Sequence, residues 1–315
     1  MIIRARTILP VCKFPTTIVL VDDDDSLLET LTNNLEEQCL IKAFSNPYEA
    51  QKYLNDNCSK DILKEKHINI LSPSSLEEVV ISVNYTNLSM EVNNLEKTHV
   101  VSTLIIDYDM PGINGLEICQ SINDPNLIKI LLSGNIRDKD VINAFNQGVI
   151  DGYIDKYNLN LTSCIMDVVE TSEEHYFDKL SAFCAYAILL DKSRVSFLGT
   201  AQYIAFFKQL VKEHQIIEYY LIDSIGNYLL KSKNGGLLAL YIGDEESFKA
   251  MLEVLPEGVP DSLISEIKLK KKMFCYSEIE SISISNVINY VHPAHNIPGI
   301  KGLYYSLISI DAGLL

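Results

Sequence analysis

Leu104-Ile-Ile-Asp107-Tyr-Asp109-Met-Pro-Gly-Ile-Asn-Gly115 decides how this chain folds. An apolar run ends abruptly in a carboxylate, and a Met-Pro-Gly turn and a new helix start follow at once. A strand buried in the middle of a sheet delivers its last side chain to the sheet's edge, where open α/β folds bind ligands. Asp107 in that position reads as a nucleophile held ready to accept a phosphoryl group.

The same rhythm runs to both sides of this stretch. Thr17–Val21 is a short β-rich run closed by Asp22-Asp23-Asp24-Asp25, with Ser26 placed to cap a helix whose Leu27, Leu28, Leu31 and Leu35 share a face. Leu40–Phe44 reads as a second strand. Asn46 as cap and Pro47 at the first helical position then open a helix through Leu54. Val100–Ile106 is the third strand, Gly115–Ile122 a helix, and Ile128–Leu132 a strand ending at Ser133. Lys139–Asn146 is a helix stopped at Gly148, and Val149–Ile154 is a last strand ending at Asp155-Lys156. Strands alternating with helices predict a doubly wound, five-stranded parallel sheet covered on both faces. Residues 55–97 interrupt it: compact α/β units connect a helix to the next strand in about 2–6 residues. This insertion is expected to add a helix or hairpin at the sheet edge, or a contact surface, with one strand-like run at Val79–Tyr85.

Leu161, Ile165, Val168, Ser172, Tyr176, Leu180, Phe183, Ala187 and Leu190 recur at helical seam spacing. That helix either packs on the protein's own sheet or pairs with a second copy. Beyond Ser196 the pattern changes to a helix over Ala201–His214 and strand-like runs at Tyr219–Asp223, Tyr228–Lys231 and Leu237–Ile242. The Asn234-Gly235 turn marks a hairpin. Helical runs at Glu246–Leu255 and Asp261–Lys271 and a strand at Leu303–Ile310 complete an α+β domain built on an antiparallel meander. The expected boundaries are 16–158 for the first domain with its insertion, 159–195 for the linker or dimerisation helix, and 196–315 for the α+β domain.

Composition sets the outer limits. Hydrophobic residues make up 47% of the chain, enough for real cores, and no apolar stretch approaches the ~20 residues of a membrane span. Arg4, Arg6, Pro10 and Lys13 break up any secretory signal, so a cytoplasmic protein is expected. The seven cysteines show no C-x-x-C pairing and read as reduced thiols. Of the net charge of −16, little lies beyond Leu180, where 12 Lys and Arg face 14 Asp and Glu. The acidic first part does not attract nucleic acid by its overall field, and the C-terminal part could do so only through a local patch.

Asp22 and Asp23 end the first strand, Asp107 the third, Ser133 the fourth and Lys156 the fifth, so all should meet in one cleft. Each alone has a bland reading: a solvated acidic loop, a helix cap, a strand end, a surface lysine. Together, three carboxylates this close repel one another, and a hard divalent cation, Mg²⁺, relieves the repulsion. Asp107 could then attack phosphorus, with Lys156 and Ser133 neutralising the phosphoryl oxygens.

Residues 16–158 resemble the receiver domain of two-component response regulators. The matching motifs are Val21-Asp22-Asp23, Asp107-x-x-Met110-Pro111-Gly112-x-Asn114-Gly115, the hydroxyl at Ser133, and Tyr153-x-x-Lys156. The resemblance implies a flavodoxin-like fold and phosphorylation at Asp107. It implies Mg²⁺ held by Asp22, Asp23, Asp107 and the backbone carbonyl of Asp109, with Lys156 on the phosphoryl group. Ser133 and Tyr153 would form the switch pair, the ring turning inward as the hydroxyl moves to the phosphate. A sensor histidine kinase or phosphotransfer protein would be the partner. The chain departs from the pattern at Tyr157, where receivers carry proline, and in its insertion.

The Tyr219-Tyr220-Leu-Ile-Asp-x-x-Gly-Asn-Tyr segment, with the insertion, is similar to response regulators of the Legionella quorum-sensing type. That implies a non-enzymatic regulator whose output domain is of nucleic-acid-binding or regulatory type, with homodimerisation linked to phosphorylation. Lys268, Lys270, Lys271 and Lys272 are the candidate phosphate contacts, or else simply the solvated end of a helix. His292 and His295 are half of a metal site or plain loop residues. Two other functions stay open: a receiver coupled to a ligand- or protein-binding sensory domain of PAS-like build, and a haloacid-dehalogenase-like phosphatase.

Overall fold

The computed structural model describes residues 9–37, 39–58, 68–71, 80–134, 139–190, 196–275 and 288–310. The chain divides into two compact units. One gathers residues 13–83 and 93–184; the other takes the described residues up to Cys12, residues 84–92, and everything from 185 onward.

The first unit is a five-stranded sheet of β1 (Thr17–Val21), β2 (Leu40–Phe44), β3 (Val101–Asp107), β4 (Ile128–Ser133) and β5 (Gly152–Asp155). The order is β2-β1-β3-β4-β5 and every pairing is parallel. This is a flavodoxin-like order, whose reversal point lies between the first and third strands. β1 and β3 sit inside the sheet, and every residue of both is buried, which is why they read as unbroken apolar runs. β2 is an edge strand with three exposed residues. The helices α1 (Asp25–Leu35), α2 (Pro47–Asn57), α3 (Gly115–Ser121), α4 (Lys139–Asn146) and α5 (Leu161–Leu190) complete the alternation. Val19, Val21, Leu104, Ile106 and Leu131 of the strands pack with Ala50, Leu54, Ile118, Val141 and Ala144 of the helices.

Backbone hydrogen bonds tie the strand ends to one another. The Asp22 N–H donates to the Phe44 carbonyl (3.2 Å), the Tyr108 N–H to Leu132 (2.8 Å) and the Lys156 N–H to Ser133 (3.0 Å). The turn after β3 has equally specific needs. Gly112 has φ of +90°, Asn114 caps α3 through the Glu117 N–H, and an added Cβ on Gly115 would lie 2.1 Å from the Asp107 carbonyl oxygen. Only glycine lets α3 start this close to the strand that carries Asp107.

Two local expectations change. Asp24, not Ser26, caps α1: its carboxylate accepts from the Ser26 and Leu27 N–H groups. Aspartate caps as well as serine and adds its charge to the positive helix end. β5 begins at Gly152, three residues later than expected, because Gly148 and Val149 are spent closing α4, where their N–H groups donate to Phe145 and Ala144. Within the insertion, Ile68–Leu71 and Val80–Val83 form an antiparallel pair, followed by a helix over Tyr85–Met90; residues 59–67 and 72–79 lie outside the described ones. Of the seam on α5, Ile165, Ser172, Tyr176 and Leu180 are buried, and the helix belongs to the first unit through Cys184. Side chains of the seam's last three positions lie outside the described residues.

The second unit is a six-stranded sheet in which Cys12–Lys13, β6 (Ile216–Leu221), β7 (Tyr228–Ser232), β8 (Leu237–Gly243), β9 (Tyr304–Ile310) and His295–Asn296 follow in that order. β6, β7 and β8 form the expected meander. Asp223 takes the N–H groups of Ile225, Gly226 and Asn227 to close the first turn, and Gly235, at φ +85°, closes the second. The helix α6 (Ala201–Glu213) lays Phe207 against Tyr219 and Tyr228. α7 (Glu245–Glu253) and α8 (Asp261–Lys268) pack through Phe248, Leu263 and Ile267.

The two glycines make a test. Gly115→Ala pushes a methyl into backbone and should cost about 3 kcal/mol in urea unfolding, at the upper end of overpacking. Gly148→Ala has open space and pays only its left-handed backbone, about 1–2 kcal/mol. Equal stability of Gly115→Ala and the parent chain would contradict the close approach.

Candidate acidic site at the rim of the parallel sheet

The strand ends bring a lysine between two buried carboxylates. The Lys156 ammonium lies 2.8 Å from Asp107 Oδ2, 3.0 Å from Asp22 Oδ1 and 2.8 Å from Asp22 Oδ2. Asp22 is 1% exposed, Asp107 3% and Ser133 1%. Asp23 is exposed, yet ligand oxygens of Asp22, Asp23 and Asp107 all lie within 4.8 Å of one another. The run of four aspartates therefore splits by geometry: Asp22 meets the lysine, Asp23 faces the cluster, Asp24 caps α1, and Asp25 sits in its first turn.

The electrostatics follow from burial. Loss of water pushes the Asp107 carboxyl above its ordinary range; the Lys156 hydrogen bond pulls it back, and the charges of Asp22 and Asp23 push it up again. Burial alone would lower the Lys156 ammonium, but the hydrogen bonds and charges of Asp107 and Asp22 outweigh it and raise it.

A hard divalent cation fits these residues. The donors are carboxylate oxygens, and the buried Asp22 Oδ2 accepts no hydrogen bond although the ammonium is near. Among the described residues no other group of three or more His, Cys, Asp or Glu brings ligand atoms together in this way. Asp22, Asp23 and Asp107 would hold the ion. Asp109 lies exposed two residues beyond the strand end.

The other site candidates fall as follows. Ser133 ends β4, with its carbonyl bonded to the Lys156 N–H. Tyr153 is 39% exposed, its ring edge-on to Phe145 at 6.0 Å. Tyr157 follows a trans peptide bond, and its ring lies 2.6 Å from where a Cβ on Gly134 would stand. Sequence reasoning missed this use of Gly134; the only signal was a glycine directly after Ser133. In the second unit, Lys270 pairs with Glu245 and Lys272 with Glu266 (2.8 Å), while Lys268 and Lys271 are exposed. Tyr219, Tyr220 and Tyr228 are buried. His292 and His295 sit in short strands and line a pocket of about 280 Å³ with His214.

No protein-family model and no curated protein matches the chain. Among solved structures, the Legionella pneumophila response regulator LqsR superposes with a TM-score of 0.78 at 24% identity, over 98% of this chain and 91% of that one. That likeness establishes the fold of both units as a shared one. An adenylate cyclase from Rhodopirellula baltica (TM-score 0.37, 22% identity, 57% of this chain and all of that one) is too dissimilar to bear on function. So is the Mg²⁺–BeF complex of TrrA from Thermotoga maritima (0.32, 20%, 50% and 98%).

Mg²⁺ and pH should act on the same carboxyl. Because the native pKa of Asp107 is raised, its contribution to stability is complete below the ordinary carboxylate range and is lost as pH rises through the raised value. Mg²⁺ competes with that proton. Its stabilising effect, about 2.7 kcal/mol at a hundredfold excess over Kd, should grow with pH across that window and shrink in Asp23→Asn. Thermal melts with and without Mg²⁺ check this; an increment independent of pH would contradict it.

Proposed function

We propose that this chain is a response regulator that accepts a phosphoryl group on Asp107. The observation that carries the reading is the Asp22–Lys156–Asp107 pairing at the rim of the sheet. Lys156 occupies Oδ2 of Asp107, so Oδ1 is the oxygen left to attack. A bond forms from Oδ1 to phosphorus while the bond from phosphorus to the donor's nitrogen or oxygen breaks, and the leaving group keeps the electron pair. The donor is a phosphohistidine of a kinase or phosphotransfer protein, or a small acyl phosphate. Mg²⁺, when bound, supplies charge neutralisation to the phosphoryl oxygens. Lys156 then neutralises a phosphoryl oxygen instead of the free carboxylate, and the Ser133 hydroxyl offers a further hydrogen bond. The protein makes one acyl phosphate and does not turn over a substrate.

Control of the C-terminal unit is the second half of the reading. The path of the chain supports it. The polypeptide passes between the units at 12/13, 83/84, 92/93 and 184/185, so β1 and β3, which carry the carboxylates, are each preceded by a segment of the second unit. Those segments join the N-terminal ends of the two strands, and Asp22 and Asp107 stand at the opposite ends, so a shift has to run the length of a strand to reach them. For the output, nucleic-acid binding has little free charge behind it: two of the four cluster lysines are already paired, and the strand tyrosines that could stack on bases are buried. A protein- or ligand-binding output fits better. A phosphorylation-linked homodimer stays part of the reading on the seam spacing of the sequence, and the quorum-sensing assignment rests on the sequence resemblance.

Incubation with acetyl phosphate and Mg²⁺ should add the mass of one phosphoryl group to the intact chain, and Asp107→Asn should abolish the gain. Lys156→Ala should slow it about 10²-fold, as for loss of one charge-stabilising donor. Continuous release of phosphate from phosphomonoesters would instead favour the phosphatase.

A further inference from the structure

A cavity of about 670 Å³ opens beside the edge strand β5, between β4, α4 and α5. Its volume falls within the ~300–1,000 Å³ of ligand pockets. Ile128, Ile130, Ile154 and Val168 give it apolar walls, and Phe145 and Tyr153, packed edge to face, close one side. Gly152 opens the floor: it pairs with Ile130 across the strands, and a Cβ there would reach 3.1 Å from the Ile130 side-chain tip. Among the described lining residues, the one acid and the one lysine pair with each other. Lys179 lies 2.7 Å from Asp151, whose other oxygen accepts the Lys129 N–H at 2.9 Å. His175 also lines the cavity, and its ring has no hydrogen-bond partner among the described residues.

We propose that this cavity binds an uncharged amphiphile, its alkyl or aryl body against the isoleucines and Val168 and its hydrogen-bonding head at His175, and that occupancy opposes phosphorylation. The second clause rests on the phosphoacceptor reading and on Tyr153 as the ring that turns inward. In this structure the ring is outward and forms a wall. If it turns toward Ser133, the ligand loses that wall together with its edge contact to Phe145. A ligand favours whichever state it binds more tightly, and the coupling is reciprocal. A charged ligand is disfavoured because no unpaired opposite charge on the wall would meet it.

The probe is N-phenyl-naphthylamine, an uncharged fluorophore, displaced by decanol. With the full chain, fluorescence should saturate at one probe per chain. Gly152→Val fills the floor and suits a strand, and Val168→Trp fills the cavity from α5. Each should weaken the probe about tenfold or more while leaving Mg²⁺ binding intact, which reports that the fold persists. Acetyl phosphate with Mg²⁺ should weaken the probe about fivefold or more in the parent chain and not in Asp107→Asn. Absence of saturable binding, or binding unchanged in both filled variants, overturns the site. Loss of binding with rising protein concentration as the mass doubles also overturns it, because a second copy then covers the face. A phosphoryl group on Asp107 confirmed by mass, with no change in probe affinity, overturns the coupling. Failure of Asp107 to take the group overturns the phosphoacceptor reading while the filled variants still decide the cavity.

Discussion

One ammonium group shared by two buried carboxylates holds the business end of the sheet together. Lys156 belongs to the loop after β5, Asp22 to the end of β1 and Asp107 to the end of β3, so the ion triplet spans the sheet from its middle to its edge. Two buried carboxylates without a counter-charge would be strongly unfavourable; removing one partner of such a pair costs about 3–5 kcal/mol. The arrangement is thus poised rather than inert. Whatever takes the lysine from Asp107 must bring charge of its own to the cleft, which a phosphoryl group with a cation does.

Much of this was legible in the chain. The interior strands announced themselves because burial on both faces removes any need for alternation, and the polar residue ending each run marked the rim. The Met-Pro-Gly-x-Asn-Gly turn was readable because a positive φ at Gly112, a cap at Asn114 and a backbone approach at Gly115 each demand a residue type. What escaped was what local sequence does not encode. Asp24 and Ser26 cap equally well on propensity, and only the Asp24 geometry decides between them. Val149 is a good strand residue, but its N–H is committed to Ala144 in the helix stop.

The long-range assembly was the least legible part. Nothing in residues 84–92 signals that the helix there clusters with the C-terminal sheet, because that docking is a tertiary choice. The lysine cluster carries partners that its sequence does not announce. Four lysines within five positions look like a basic patch, yet Glu245 from the preceding helix pairs with Lys270, and Glu266, six residues upstream, pairs with Lys272. Tyr219, Tyr220 and Tyr228 of the meander are core, as strand tyrosines usually are, and Tyr241 is half-buried.

Tyr153 lines the cavity beside β5 and lies three residues before Lys156 of the acidic rim, so the proposal that Asp107 takes a phosphoryl group is the point on which both readings turn. Borohydride reduction settles it at residue level, because it converts an aspartyl phosphate to homoserine while free carboxylates are left alone. After treatment with a phosphoryl donor and Mg²⁺, tandem mass spectrometry of the reduced, digested chain should find homoserine at position 107 and at no other aspartate. Homoserine elsewhere, or none despite a gain of mass, would contradict the account.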